Sequence, residues 1–188
     1  MRSQREAPME RLDGQRAMAI SEQIIDLYHR CYSRPPWSET PQQLSDYPGK
    51  LADATARPGF TAITVMDTEQ LVGMTYGWPT RNVRHDDRME RAVVSAFGPD
   101  RADELIGGAF AVAELFVDPD AQGRGIGRRL MENIVDGRDA AWLVTHAQAP
   151  AAHLYRSLGW KERGPLPGDV YRLRLSLFTL RAFDNGDT

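Results

Sequence analysis

The chain has a single cysteine, Cys31, which excludes an internal disulfide and any metal site built on a cysteine cluster. It has no long hydrophobic run: the longest, around Ala109, falls far short of the ~18 apolar residues that a membrane span requires. It has no surplus of positive charge. The net charge is −3 and the pI about 5.8, which favours neither nucleic acid nor an anionic membrane surface. The histidines, His29, His85, His146 and His153, lack the spacing of metal ligands. Internal repeats and low-complexity tracts are missing too. Met1-Arg2-Ser3-Gln4-Arg5-Glu6 has no hydrophobic segment behind it and does not read as a signal peptide. The expectation is a cytoplasmic protein without metal, nucleic acid or membrane partner. Its 188 residues are expected to make one domain, 1–188, with a polar, mobile segment over about residues 1–8.

What the chain does have is one stretch, Phe110 to Ile134, that reads as strand, glycine-rich loop and amphipathic helix. Phe110, Val112, Glu114 and Phe116 alternate with Ala111, Ala113, Leu115 and Val117, and Glu114 is the one charge among them. Asp118-Pro119-Asp120 stops the ladder, because Pro119 has no N–H to donate. Gln122-Gly123-Arg124-Gly125-Ile126-Gly127 makes the loop. Ile126, Leu130 and Ile134, with Met131 and Val135, then mark the apolar face of a helix that Asp136-Gly137 ends. Glycines at alternate positions let backbone N–H groups converge at the start of a helix. Unpaired amides and the helix dipole there suit a phosphate or pyrophosphate, and Arg124, Arg128 and Arg129 add full charges. A glycine triplet alone reads first as a tight strand-to-helix turn. No Lys-Ser/Thr follows it, which excludes a Walker loop, and a dinucleotide fingerprint fails at Arg128, where glycine is required.

The flanking chain supplies the rest of a domain. Met9 to Leu12 reads as a short strand. Ile20, Ile24, Leu27, Tyr28 and Cys31 fall at helical spacing and predict a helix ending near Tyr32. Ser33-Arg34-Pro35-Pro36-Trp37 makes a rigid loop with an exposed indole. Thr40-Pro41-Gln42-Gln43 is a capping box for a second helix through Leu44, Tyr47 and Leu51, which Pro48 should bend or interrupt. Phe60 to Val65 and Leu71 to Trp78 read as strands joined by a hairpin loop over 66–70. Residues 79–108 are polar, with His85-Asp86-Asp87-Arg88 at their centre and a short helix over Met89 to Phe97; so long a connection reads as a lid. Trp142 to Thr145 is a buried strand, and Ala151, Leu154, Tyr155 and Leu158 predict a helix capped by Gly159. Tyr171, Leu173, Leu175 and Leu177 alternate with Val170, Arg172, Arg174 and Ser176 as a final strand. Mixed strands with helices on both faces imply an α/β (α+β) fold, a three-layer α/β/α sandwich.

Two segments together resemble a known family. Ala113 to Gly127 carries Q-x-x-G-x-G behind a strand ending Val-Asp-Pro, and Leu154-Tyr155-Arg156-Ser157-Leu158-Gly159-Trp160 carries L-Y-x-x-x-G-[FW]. In this order and spacing they are similar to the signatures of the GNAT superfamily of N-acetyltransferases. The resemblance implies a mixed central sheet that splays open where acetyl-CoA enters. It implies that backbone groups of Leu115, Phe116 and Val117 bind the pantetheine arm. The pyrophosphate would then lie against the amides of residues 123 to 128, from Gly123, Arg124 and Gly125 to Ile126, Gly127 and Arg128, with Gln122 opening the loop. Tyr155 matches the family tyrosine that protonates the leaving thiolate. On an apolar helical face alone a tyrosine would read as core. Seven residues before it the family has asparagine for a cofactor or substrate contact, whereas here stands Gln148, which departs from that pattern. The early helices and the loop before the central strand flank the acceptor in the family, which points to Trp37 and part of 79–108.

Acetyl transfer requires the amine to shed a proton before it attacks the thioester, an oxyanion donor, and a proton for the thiolate. Glu114 is the candidate base, since a carboxylate among apolar neighbours has a raised pKa. It also reads as a residue at a polar edge, or as a partner of Arg172 or Arg174. His146 is the weaker candidate base. Strand alternation leaves the amide of Val117 or Leu115 as oxyanion donor. Cys31 reads as core, and a covalent acetyl-cysteine route has no partner motif. The expected function is transfer of an acetyl group from acetyl-CoA to a primary amine of a small molecule, by direct attack through a tetrahedral intermediate. A catalytically silent acyl-CoA sensor and a protein N-terminal or lysine acetyltransferase remain alternatives, and a homodimer stays open.

Overall fold

In the computed structural model, residues 7–81, 83 and 87–181 are described. The strands are β1 (Met9–Leu12), β2 (Thr61–Asp67), β3 (Gln70–Pro79), β4 (Phe110–Val117), β5 (Ala140–His146), β6 (Lys161–Pro165) and β7 (Leu175–Arg181). The helices are α1 (Gly14–Ala19), α2 (Ser21–Tyr32), α3 (Pro41–Thr55), α4 (Arg88–Phe97), α5 (Pro99–Ile106), α6 (Ile126–Val135) and α7 (Pro150–Ser157). The sheet is mixed and open, with strand order β1-β2-β3-β4-β5-β7-β6. The chain divides into two compact units, one up to Gly77 together with Glu114–Ile134, the other Trp78–Ala113 together with the chain from Val135 on. β3 and β4 each run from one unit into the other.

In the first unit β1 and β2 pair antiparallel from Met9↔Val65 to Leu12↔Ala62, and β2 and β3 from Thr61↔Gly77 to Asp67↔Gln70. The hairpin turn is two residues, with Thr68 at φ 60°, tighter than the loop expected from the sequence. α6 lies directly on β3. A Cβ on Gly73 would meet Ile126 Cγ2 at 2.8 Å and Leu130 Cδ1 at 3.1 Å, so any side chain there would force those two to shift and the glycine allows the helix its close seat. The carbonyls of Ala7 and Pro8 accept from Arg129 Nη2 at 3.2 Å and Met66 N at 3.3 Å, which ties the backbone down from residue 7 rather than residue 9. α1 was not foreseen; Asp13 caps it by accepting from Arg16 N at 2.9 Å.

The capping box of α3 is formed, Thr40 Oγ1 accepting from Gln43 N at 3.2 Å and Gln43 Oε1 from Thr40 N at 2.9 Å. The helix runs through Pro48 without interruption. Pro48 has no N–H for the carbonyl of Leu44, and His29 Nε2 of α2 lies 3.0 Å from that oxygen. A carbonyl only accepts, so Nε2 carries the proton. The orphaned acceptor becomes a tether between two helices.

β4 ends at Val117, where Asp118 is held from three sides. Its amide donates to Val72 O at 2.8 Å, its Oδ1 accepts from Asp120 N at 2.9 Å, and its Oδ2 pairs with the Arg30 guanidinium. Arg30 Nε lies 3.2 Å from Asp26 without hydrogen-bond alignment. Asp118 thus anchors α2, β3 and the turn leading to the glycine loop.

In the second unit β4 and β5 pair in parallel over Phe110↔Ala141 and Ala111↔Trp142 only, whereas β5 and β7 pair antiparallel from Ala140↔Arg181 to His146↔Leu175. The final strand corrects the sequence reading. It spans Leu175–Arg181, not Val170 to Leu177, and residues 171–173 form a bend. β7 is flanked by β5 and β6, and Leu175 through Thr179 are all buried. With consecutive residues buried, both faces of the strand are covered, and such a strand shows a continuous run, so the alternation upstream of it was a misleading signal. β6, mostly polar, carried no signal at all. α4 is capped by Asp87, which accepts from Met89 N at 2.9 Å and Glu90 N at 3.1 Å. α5, also unforeseen, starts at Pro99 after Gly98 turns the chain at φ 81°. Asn82, Arg84, His85 and Asp86 lie outside the described residues. Gly159, at φ 85°, closes α7 as expected.

Among the described residues no helix is long and apolar enough to cross a membrane. Removing one partner of a buried ion pair strands the other. Asp118→Ala is therefore expected to cost ~2–3 kcal/mol in urea unfolding, at or below the ~3–5 kcal/mol of a fully buried pair, because the Arg30 side chain keeps 30% exposure. Breaking the Arg16–Glu10 pair, 55% exposed on both sides, should cost under ~0.5 kcal/mol. Equal losses from the two would refute the anchoring role.

Candidate active site

Burial changes character along β4. Phe110, Ala111 and Val112 are buried, Ala113 is exposed, Glu114, Leu115 and Val117 are half-buried, and Phe116 is buried again. The strand is therefore seated in the core at Phe110–Val112 and Phe116 and comes to the surface over Ala113–Leu115.

Glu114 belongs to the first unit and sits at a cluster of aromatic rings. α2 supplies Tyr28 and Tyr32, one helical turn apart and therefore on one face. Their rings stack at 4.1 Å, and Tyr47 of α3 stacks on Tyr28 at 3.5 Å. Phe116 presents its edge to Tyr28, Tyr32 and Tyr76. The Tyr32 hydroxyl donates to Glu114 Oε2, the Tyr28 hydroxyl to Glu39 Oε2 at 2.9 Å, and the Tyr47 and Tyr76 hydroxyls meet at 3.2 Å. The Glu114 main-chain carbonyl accepts from Thr75 Oγ1 at 2.8 Å, which fixes the strand beneath the carboxyl.

This setting pushes the Glu114 carboxyl up to about 7. Burial is the main cause and the Glu39 charge adds to it, while the Tyr32 hydrogen bond and the Lys50 charge pull the other way. Burial also holds Tyr28, Tyr47 and Tyr76 well above the ordinary phenol value, so all three stay protonated. Of the readings open for Glu114, the arginine pairing is replaced by a hydrogen bond from a tyrosine hydroxyl.

The glycine loop is in the same unit. Gly123 and Gly125 both take φ 76°, in the left-handed region that strains any other residue, and their Cα positions face open space. They bring the chain into the first turn of α6 with its early amides exposed. The three arginines are engaged at the surface. Arg124 pairs with Asp67 at 3.0 Å, Arg128 with Glu132 at 3.6 Å, and Arg129 reaches the Ala7 carbonyl. The exposed pairs of Arg124 and Arg128 are weak, and a polyanion would compete for them. The Gln122 amide folds back onto the Val117 carbonyl at 3.3 Å.

Trp37 is half-buried rather than exposed, and its ring lies 5.9 Å from that of Tyr32. The structure thus joins Trp37 to Glu114 through one side chain. Cys31 is half-buried and donates to the Val117 carbonyl at 3.3 Å; burial pushes its thiol up to about 11, so it is protonated at neutral pH and poorly suited to a covalent route.

The second unit holds the remaining expected residues. Tyr155 is buried on α7, its ring 6.0 Å from Trp160 and 6.3 Å from Phe178. Gln148 is exposed in the turn before α7. His146 ends β5 with Nδ1 2.9 Å from the Arg174 carbonyl. Among the described residues no group of three or more His, Cys, Asp or Glu is placed to hold a metal ion. A depression of about 650 Å³ around Gln23, Asp26, Asp67 and Glu69 contains none of the expected site residues.

The sequence reading missed Tyr32, Glu39 and Lys50. Tyr32 had a usable signal, since its spacing from Tyr28 places both on one helix face. Glu39 and Lys50 had none.

Residues 61–162, more than half of the chain, match the family model of the acetyltransferase (GNAT) domain, and the chain belongs to the GNAT acetyltransferases. No curated protein matches it in sequence. Solved structures share its fold at low identity. An aminoglycoside 6'-acetyltransferase type Ii is 16% identical with a TM-score of 0.63, the match covering 95% of this chain and 99% of that one. The polyamine N-acetyltransferase of Drosophila melanogaster, which forms N-acetylagmatine, is 16% identical with a TM-score of 0.64, over 93% and 100%. The ribosomal-protein-S18-alanine N-acetyltransferase of Escherichia coli is 18% identical with a TM-score of 0.60, over 96% and 99%.

Glu114 makes stability pH-dependent in a definite direction. Between its usual 4.5 and about 7 the folded state keeps a proton that the unfolded chain has lost, so stability falls as pH rises through that window. Glu114→Gln is therefore expected to stabilise the fold by ~1–3 kcal/mol at pH 8, discounted for partial exposure. The gain should vanish toward pH 4. Thermal unfolding of both forms across that range checks it, and a gain independent of pH would contradict it.

Proposed function

We propose that the chain transfers an acetyl group from acetyl-CoA to a primary amine of a small molecule by direct attack, with Glu114 as the proton acceptor and Tyr155 as the proton donor. The observation that carries this reading is the Glu114 carboxyl. It is raised to about 7, and its second oxygen, Oε1, has no hydrogen bond among the described residues.

The residues present fit acetyl-CoA. The backbone of Leu115, Phe116 and Val117, beyond the two-pair β4–β5 ladder, is the segment for the pantetheine arm. The left-handed glycines ahead of α6 leave the amides from Gly123 to Arg128 for the pyrophosphate. Gln148 lies in the turn before α7, where a cofactor contact is expected. Acetyl-CoA supplies the acetyl group as an activated thioester. The amine nitrogen forms its bond to the carbonyl carbon, the carbon–sulfur bond breaks, Glu114 takes the amine proton and Tyr155 returns one to sulfur. The amide of Val117 or Leu115 faces the oxyanion. Trp37 walls the acceptor side. Fold neighbours that act on aminoglycosides and polyamines support a small-molecule acceptor; one that acts on a ribosomal protein keeps a protein N-terminus as the alternative.

Gly125→Asp would place a strained side chain and a negative charge where the phosphates lie. Calorimetry should show acetyl-CoA affinity reduced at least ~100-fold with circular dichroism unchanged, by analogy with the energetic weight of buried charge contacts. Unaltered affinity would remove the phosphate assignment.

With a verified amine, the parent kcat/KM should fall as pH drops below about 7, where Glu114 takes up its proton. Loss of a general acid or base costs ~10²–10⁴ in rate. Glu114→Gln should lose activity at neutral pH and regain it at high pH, where the amine is already neutral. Tyr155→Phe should lower kcat at all pH values with acetyl-CoA affinity retained. Parent profiles in either variant would reassign that role.

A further inference from the structure

Six side chains are coupled to the Glu114 carboxyl: Tyr32, Glu39 and Lys50 act on it, and Tyr28, Tyr47 and Tyr76 feel its charge. Tyr28 and Tyr32 come from α2, Glu39 from the loop before α3, Tyr47 and Lys50 from α3, and Tyr76 from β3. Their parts differ. Tyr28, Tyr47 and Tyr76 are kept neutral by burial and carry no charge to the site. Tyr28 and Tyr47 hold other partners, Glu39 and Tyr76. Glu39 and Lys50 act through space with opposite signs. Tyr32 alone, among the described residues, hydrogen-bonds the carboxylate.

Its hydroxyl is also held where it is. The ring is stacked on Tyr28 at 4.1 Å with 16° between planes, lies 5.9 Å from Trp37, and meets the edge of Phe116 at 6.2 Å. A tyrosine has two side-chain torsions, and rings on several sides fix both. The hydroxyl therefore has a fixed place, and the carboxylate keeps the bond only in the orientation that reaches it.

We propose that Tyr32 is a positioning residue for the deprotonation of the amine: its hydroxyl pins Oε2 of Glu114 and leaves Oε1 turned to the acceptor, and Trp37 acts on the acceptor site by holding the Tyr32 ring. This rests on the reading of Glu114 as the proton acceptor. A carboxylate that accepts one strong hydrogen bond keeps its charge more readily than burial alone permits. The same bond fixes which oxygen receives the proton. A structural role for Tyr32 in the aromatic stack would need the ring but not the hydroxyl.

Tyr32→Phe separates the two, since it keeps the ring and the stack. The titration of Glu114 in the protein without substrate can be followed by carboxyl infrared difference spectra, the band being identified by its loss in Glu114→Gln. We expect the midpoint in Tyr32→Phe to rise by ~1 pH unit, the scale of one hydrogen bond to a charged group. The acidic limb of kcat/KM should move by the same amount. At pH 6 that is about a tenfold loss, recovering to within about twofold of the parent by pH 9. Acetyl-CoA affinity should not change. An unmoved midpoint overturns the proposal, and so does a midpoint that rises while the acidic limb stays in place. If Glu114→Gln itself keeps the parent acidic limb, it is the base assignment that has failed, and the infrared midpoint still decides whether Tyr32 governs the carboxyl.

Discussion

The ion pair between Asp118 and Arg30 is the constraint on which the site depends. A strand that is to offer its backbone at a surface cannot be secured along its whole length by neighbours, so it must be secured at its end. Asp118 does this with both carboxylate oxygens and its amide, joining α2, β3 and the turn in one place. The position of Glu114, four residues back along a stiff strand, and that of Gly123, five residues on, both follow from where Asp118 is held. The close seat of α6 on Gly73 completes the frame: the loop has its start fixed by an ion pair and its exit fixed by helix–sheet contact.

Within that frame the carboxyl at 114 runs against stability. A carboxylate surrounded by tyrosine rings is costly to ionise, and a protein selected for stability alone would carry an amide or an apolar group at 114. The neighbours temper this cost without removing it. One hydroxyl and one distant ammonium favour the charge, and one carboxylate opposes it. The result is a group that changes charge near neutrality, which is the condition a base must meet to take a proton and give it up again.

What was legible in the sequence and what was not divides along physical lines. β4 and α6 were read to the residue because their signals are local: a period of two, a proline stop, a period near four, a glycine exit. The same holds for the Thr40–Gln43 capping box. β7 was misplaced because both of its faces are buried, and a strand covered on both faces loses the alternation that marks a half-buried one. β6 and the short helices α1 and α5 have too few apolar positions to announce themselves. Of the candidate site, Glu114 and the glycine loop were visible in the stretch that contains them. For Tyr32 the spacing from Tyr28 showed the helix face but not the partner, because it joins Glu114 across 82 positions of chain, and only the packing of α2 against β4 brings the two together.

The tether from His29 to the carbonyl freed by Pro48 has a consequence of its own. Because Pro48 has no N–H, the Leu44 carbonyl is left open to a donor from outside its own helix, and a side chain of α2 takes that place. A gap in the ladder of α3 thus becomes a point of attachment between α2 and α3, the two helices whose tyrosines stack beside Glu114. A residue able to donate its own N–H at 48 would close the ladder and compete with that attachment, so the proline that leaves a gap in one helix is what lets it grip the other.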